Sequence, residues 1–255
     1  MDLQKANGWK RIAAWLLDIM LLAVLAVGVG LGLSTMLGYD GYQQTVQSAY
    51  EKYAKQYGID MELDQDDIDA MSEAEKESYQ AAVKEFDAAI NADGEAVYAY
   101  NMLVNLSLVI TTLGVLIAAL LLEFIVPLLL KNGQTVGKKC FSLGVVRIDG
   151  VKVTPLQLFT RTVLGKFAIE TMIPVYVVLM LFWGSAGLVG IIALLLVVIG
   201  QVICVAVNPA RLTIHDRMSG TVVVDITSQK IFESTDDLIA YTKRIHAEQA
   251  KRQDY

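Results

Sequence analysis

Apolar residues run almost unbroken over 12–37, 102–130, 167–183 and 188–207, and polar residues gather between these stretches. About 20 apolar residues suffice for a helix to cross a bilayer, so the pattern predicts four transmembrane helices. The third stretch is the shortest and is interrupted by Glu170 and Pro174. Gly184-Ser-Ala-Gly187 separates it from the fourth as a tight helical hairpin, and Asn208-Pro209 ends the fourth. The chain then divides into an N-terminal segment with the first span (1–37), an insert (38–101), a second span (102–130), a loop (131–166), a helical hairpin (167–207) and a C-terminal segment (208–255). The first apolar run is too long for a cleavable signal peptide and has no small-residue cleavage site after it, so it reads as a retained anchor.

The polar segments carry their own periodicities. In the insert, Tyr50, Tyr53, Ala54 and Tyr57 form an i, i+3, i+4, i+7 stripe ending at Gly58, a helix with its C-cap. Ser72-Glu-Ala-Glu75 is a capping-box pattern opening a second helix, which Asp93-Gly94 breaks. In the loop, Val145-Val-Arg-Ile-Asp149-Gly150-Val-Lys-Val-Thr154 predicts a β-hairpin turning at Asp-Gly. Thr154-Pro155 predicts the start of a helix lying along the membrane interface. The expected fold is therefore an all-α membrane protein of four transmembrane helices, with an extracytoplasmic helical insert and a small cytoplasmic β-hairpin.

Composition agrees: 55% of the residues are hydrophobic and only 19% charged, below the quarter or so usual in soluble domains. The net charge of −6 hides a division. Residues 39–101 hold 15 acidic and 4 basic side chains, and the rest of the chain holds 12 and 17. Basic residues flank the start of the first and third spans and the end of the second and fourth. The positive-inside rule then puts both termini and the 131–166 loop in the cytoplasm and the acidic insert outside. The two cysteines, Cys140 and Cys204, imply no disulfide framework.

Charges inside apolar runs are the candidate functional residues. Arg11 and Asp18 are seven residues apart, nearly two turns at ~100° per residue, so they share a helix face about 10 Å apart along the axis. They could form an ion or proton path or a structural contact needing a bridging partner. Glu123 lies about 12 Å from Lys131, a depth matching that of Asp18. It could face Asp18 as a carboxylate pair with one raised pKa, or pair with Arg161 or Lys166. Glu170 could pair with Lys166 at i,i+4. At the cytoplasmic mouth, His215-Asp216-Arg217 offers a carboxylate for Arg11 or Arg161, as a structural lock or a proton gate. One histidine beside no other ligand makes no metal site, and no nucleophile–base pattern suggests an enzyme. Gly133-Gln-Thr-Val-Gly-Lys-Lys139 lacks the spacing and the Ser/Thr of a phosphate loop, and its lysines could touch anionic lipid headgroups. Residues 60–69 lack the central glycine of a calcium loop.

The Arg11/Asp18 pair, Gly133-Gln-Thr-Val-Gly-Lys-Lys139, Val145-Val-Arg-Ile-Asp149-Gly150 and His215-Asp-Arg-Met-Ser-Gly-Thr221, in this order, resemble the RDD family of bacterial membrane proteins. The resemblance maps the family's arginine and two aspartates onto Arg11, Asp18 and Asp216 and has no counterpart for the insert. It implies a multi-pass protein of the bacterial plasma membrane, with monovalent cation/proton exchange as one activity proposed within the family and an accessory role as the other. Exchange would make Asp18 the coupling carboxylate, supported by Arg11, Glu123 and Asp216. With only four spans it would require a homo-oligomer. In the accessory reading the insert binds a protein partner outside the membrane and the buried charges are structural. No cofactor, metal or nucleic acid is expected.

Overall fold

A computed structural model describes residues 6–183, 187–207 and 212–253. The predicted turn at Gly184 and the Asn208-Pro209 stop lie outside the described residues. The chain forms two compact units, 1–29 with 112–255 and 30–111.

The helices in chain order are α1 (Gly8–Met36), α2 (Tyr39–Tyr57), α3 (Gln65–Ala70), α4 (Glu73–Ala92) and α5 (Gly94–Ala119). They continue with α6 (Val126–Leu129), α7 (Val136–Cys140), α8 (Pro155–Phe159), α9 (Ile173–Trp183), α10 (Gly187–Val207), α11 (Ile214–Ser219) and α12 (Thr235–Gln253). Two π-helical stretches are inserted: π1 (Leu120–Ile125) joins α5 to α6, and π2 (Thr160–Glu170) follows α8 without a break. Three helices are long and apolar enough to cross a membrane: Gly8–Met36, Gly94–Leu129 and Gly187–Val207. Only 11, 17 and 6% of the residues in their most apolar windows are buried. That much exposed apolar surface is untenable in water, and it identifies a multi-pass membrane protein. Where the third span is expected lies a bent pair, Pro155–Glu170 and Ile173–Met180, long and apolar enough only together and broken by 45°, the form of a broken span or a re-entrant loop.

That bend has a cause in the sequence. Pro174 has no N–H for the Glu170 carbonyl, and its ring would collide with that carbonyl in a continuous helix. The chain breaks just before it, at Met172, which takes a φ of 53°. The helix expected from Thr154-Pro155 forms, Thr154 and Gln157 making a capping box with Pro155 in the first turn, and π2 carries it onward without a break.

The small sheet is antiparallel, but its strands are not those of the predicted hairpin. β1 (Leu143–Arg147) pairs with β2 (Thr221–Asp225) in the register Leu143↔Asp225 to Arg147↔Thr221. Asp149-Gly150 does turn the chain, with Gly150 at φ 85° and the Gly150 N–H donating to the Arg147 carbonyl at 2.9 Å. Beyond it only one bridge, Val146↔Lys152, reaches β1. The Thr-Val-Val-Val-Asp run takes the opposite edge of β1, where it supplies five consecutive pairs, and β1 and β2 bury both faces. Leu143, Val145 and Val223 pack with Ala14 on one face, and Val146, Val222 and Val224 pack with Leu212 on the other.

In unit 30–111 the local signals hold. Gly58 caps α2 in the left-handed region, and Ser72 and Glu75 form the capping box of α4. Asp93 separates α4 from α5, its Oδ1 accepting the N–H groups of Glu95 and Ala96 at 3.1 Å and its Oδ2 the Tyr53 hydroxyl at 3.0 Å. These bonds hold its carboxyl below the usual range. Tyr50 meets Phe86 edge to face at 5.7 Å, joining α2 to α4. Among the glycines of α1, Gly28 and Gly32 have open space where a Cβ would sit, and Gly30 lies against Ile110.

Candidate functional site

Asp18 is 8% exposed and is satisfied by the first turn of α7. The Thr135 hydroxyl donates to it at 2.5 Å and the Gly137 backbone N–H at 2.8 Å, and Lys138 Nζ stands 3.7 Å away. Thr135 is also the N-cap of α7, accepting from the Lys138 N–H. Gly137 is required by proximity: a Cβ there would fall 2.9 Å from Asp18 Cγ and onto the Ala14 carbonyl. Asp18 therefore meets neither Glu123 nor Arg11, and the equal depth of Asp18 and Glu123 reflects no pairing. Sequence reasoning missed the Thr135–Lys138 turn. Its signal was the Thr-x-Gly pattern, an N-cap followed by a residue without a side chain.

Asp216 is fully buried and joins three segments. It bonds Arg161 of π2, accepts from Arg11 Nη2 of α1 at 3.4 Å, and takes the Thr213 hydroxyl at 2.6 Å and its N–H at 3.2 Å as a capping box of α11. Arg161 also donates to Thr221 Oγ1 at 2.8 Å, reaching β2. Burial, the largest single influence, acts to raise the Asp216 pKa, but Arg161, His215 and Thr213 together outweigh it and the carboxyl is held well below the usual range. Both partners weighed for Asp216 in the sequence, Arg11 and Arg161, thus bind it together.

The third group lies along the π-helices. Glu123 of π1 pairs with Lys166 of π2, and its backbone carbonyl accepts the Thr162 hydroxyl at 2.9 Å. Glu170 does not pair with Lys166 in the i,i+4 manner. It takes His215 instead, at 2.6 Å from Nδ1 and 3.3 Å from the backbone nitrogen. Gly165 permits this approach, since a Cβ there would lie 2.5 Å from His215 Cβ. Burial and then Arg161 push the His215 imidazole down to about 4, against the opposing pull of Glu170, so it is neutral at pH 7. Arg217 is exposed and stands apart from these contacts.

A cavity of about 1100 Å³ opens beside these groups. Arg161, Thr162, Lys166, Phe167, Glu170 and Thr171 of the third span line it. Their spacing of four to five residues is the face of a π-helix, in which i→i+5 bonding stacks residues five apart. In an α-helix Arg161 and Lys166 would point ~140° apart at ~100° per residue. The π stretches, which recur at functional sites in helices generally, are what bring Arg161, Lys166 and Glu123 to one wall.

No curated protein and no solved structure shows a significant match to the chain. The sequence model described as the RDD family matches residues 5–220, from before Arg11 to just past Asp216. The chain belongs to the RDD family.

Proposed function

We propose that the chain is an ion-coupled transporter of the plasma membrane, exchanging a monovalent cation for protons through the cavity with Glu123 and Glu170 as its titrating carboxylates. The observation that supports this reading is the position of both acids on a cavity wall beside the break of a membrane helix. Discontinuous helices are where transporters build solute and coupling-ion sites. Each acid is held by a base that could release it, Lys166 for Glu123 and His215 for Glu170. Asp18 and Asp216, each held by several donors, serve as locks of the inner face. In this reading both termini and the 131–166 loop are cytoplasmic, the acidic insert is outside, and copies of the chain associate to complete the pathway. It involves no catalytic step.

Inverted vesicles test it. Sodium or potassium should collapse a preset pH gradient in vesicles carrying the wild type, and Glu123→Gln and Glu170→Gln should slow the collapse at least tenfold. Asp18→Asn should lower the amount of folded protein while leaving the rate per folded molecule within about twofold. Loss of exchange in Asp18→Asn with unchanged rates in both glutamate variants would return the coupling role to Asp18.

A second reading, an accessory module whose insert binds a partner, is favoured by one observation. Among the described residues no buried side-chain nitrogen or oxygen lacks a hydrogen-bond partner, so a structural role for the charges suffices. No ion response in the wild type, with loss of a co-purifying protein on deleting residues 41–93, would select it.

A further inference from the structure

One face of α5 is left open by the rest of its unit. Asn101, Val104, Asn105 and Leu108 recur at i, i+3, i+4 and i+7, which gathers them within about 100° of the helix circumference. Asn101 and Asn105 are exposed, and Val104 is 39% exposed. The opposite face is covered. Ala96 and Ala99 are buried, and the Ser107 hydroxyl donates to that of Tyr39 in α2 at 3.4 Å. Ile110, about 180° round from Asn101, lies against Gly30 of α1.

The open face differs from an ordinary lipid-facing one in its amides. Val104 and Leu108 are at ease against lipid tails as apolar as themselves, and alone they call for no partner. Asn105 is the only side-chain amide in the apolar run 102–130, and it forms no hydrogen bond among the described residues. Hydrocarbon offers an amide neither donor nor acceptor, so leaving it there is costly. The group carries both an N–H donor and a carbonyl acceptor, which makes it complementary to a copy of itself.

We propose that this face of α5 is the contact between two copies of the chain in the membrane, with Asn105 of one copy bonded to Asn105 of the other across a two-fold axis. A two-fold axis sets a residue opposite its own counterpart. Copies inserted the same way bring their α5 helices together in parallel and in one register. An asparagine at a seam position fixes that register and the number of partners, because any other alignment leaves its amide unpaired. Such bonds between asparagines hold membrane helices together where packing alone is indifferent. The inference gives a helix and a register to the association invoked for transport, and it stands whether or not ions are exchanged.

The full chain, with Cys140 and Cys204 replaced by alanine, is reconstituted in phosphatidylcholine vesicles at low protein density. Energy transfer between two differently labelled pools reports association. Association is expected in the parent chain, reduced at least tenfold in Asn105→Leu and retained in Asn105→Gln, which keeps a self-complementary amide. Leu108→Cys should cross-link between copies under mild oxidation. Val109→Cys, 44% exposed on the same helix but about 100° further round, should react at least tenfold more slowly. A parent chain that stays monomeric has lipid alone on this face and overturns the proposal. Undiminished association in Asn105→Leu overturns it, as does cross-linking of Val109→Cys as fast as that of Leu108→Cys. Ion exchange measured in the dissociated Asn105→Leu bears on the transport reading and leaves these results unchanged.

Discussion

At the scale of single residues, the charges are decided by donors that the sequence does not spell. Arg161, Asp216 and Lys166 have partners with charged letters, and these were legible as alternatives. Asp18 is held partly by a backbone N–H, which every residue but proline carries, so nothing in its letters marks Gly137 as a donor. The close approach makes that glycine specific. Gly137→Ala would force a methyl against the Asp18 carboxylate and the Ala14 carbonyl, and overpacking of this kind costs about 1–3 kcal/mol. Thermal melting in detergent should fall clearly for Gly137→Ala and little for Val136→Ala. Asp18→Asn should cost less in the Gly137→Ala background than alone, because the two changes strike one contact. His215 gives a pH signature. Its folded pKa of about 4 lies below the ordinary ~6.5, so between these values the unfolded chain binds more protons than the folded one. Stability attributable to His215 is therefore complete above about pH 6.5 and falls on acidification toward pH 4, by at most about 1.4 kcal/mol per pH unit. Melting of His215→Gln should be less sensitive to pH than the wild type across that window. An equal slope would remove His215 as the source.

At the scale of elements, local signals were accurate wherever the answer was local. The capping boxes at Ser72 and Thr154, the cap at Gly58 and the turn at Gly150 all form as their residue types require. Two signals misled because their outcome was settled elsewhere. The β-rich run after Gly150 keeps a single bridge to one edge of β1, and the ladder forms on the other edge with β2, which arrives from residue 221. A Val145→Cys/Val223→Cys pair, in a chain with Cys140 and Cys204 replaced by alanine, should therefore cross-link under mild oxidation, because these residues are directly opposed. Val145→Cys/Val153→Cys, the pairing of the simple hairpin, should react at a rate at least tenfold lower. The other case is π2. Helical periodicity put Glu170 beside Lys166, and the two do share the cavity wall, but each bonds a partner from another element, Glu170 to His215 and Lys166 to Glu123. No propensity marks a π-helix, and the polar contacts of its wall with π1 and α11 are long-range.

At the scale of the whole chain, the hydropathy pattern was sufficient for the architecture. The three long helices and their exposed apolar surface follow from it. What the pattern could not contain is the cavity. A cavity is a property of helices separated by tens to hundreds of residues. Arg11 and Asp18 were visible as polar letters in one run. Their separation into two different locks, one closed by α7 and the other by α11, is a property of packing alone.

These locks also bear on the order in which the chain can be made. Asp18 waits 117 residues for Thr135, and Arg11 waits 205 for Asp216. At about 5–20 residues per second of synthesis, the first interval is roughly 6–23 s and the second roughly 10–40 s. Through the first of these the helix carries an aspartate whose cost at the centre of a membrane helix would be about 2.5–3.5 kcal/mol, with its partner turn still unmade. The first helix is thus secured in two steps, Asp18 when the turn at Thr135 is made and Arg11 only when Asp216 follows.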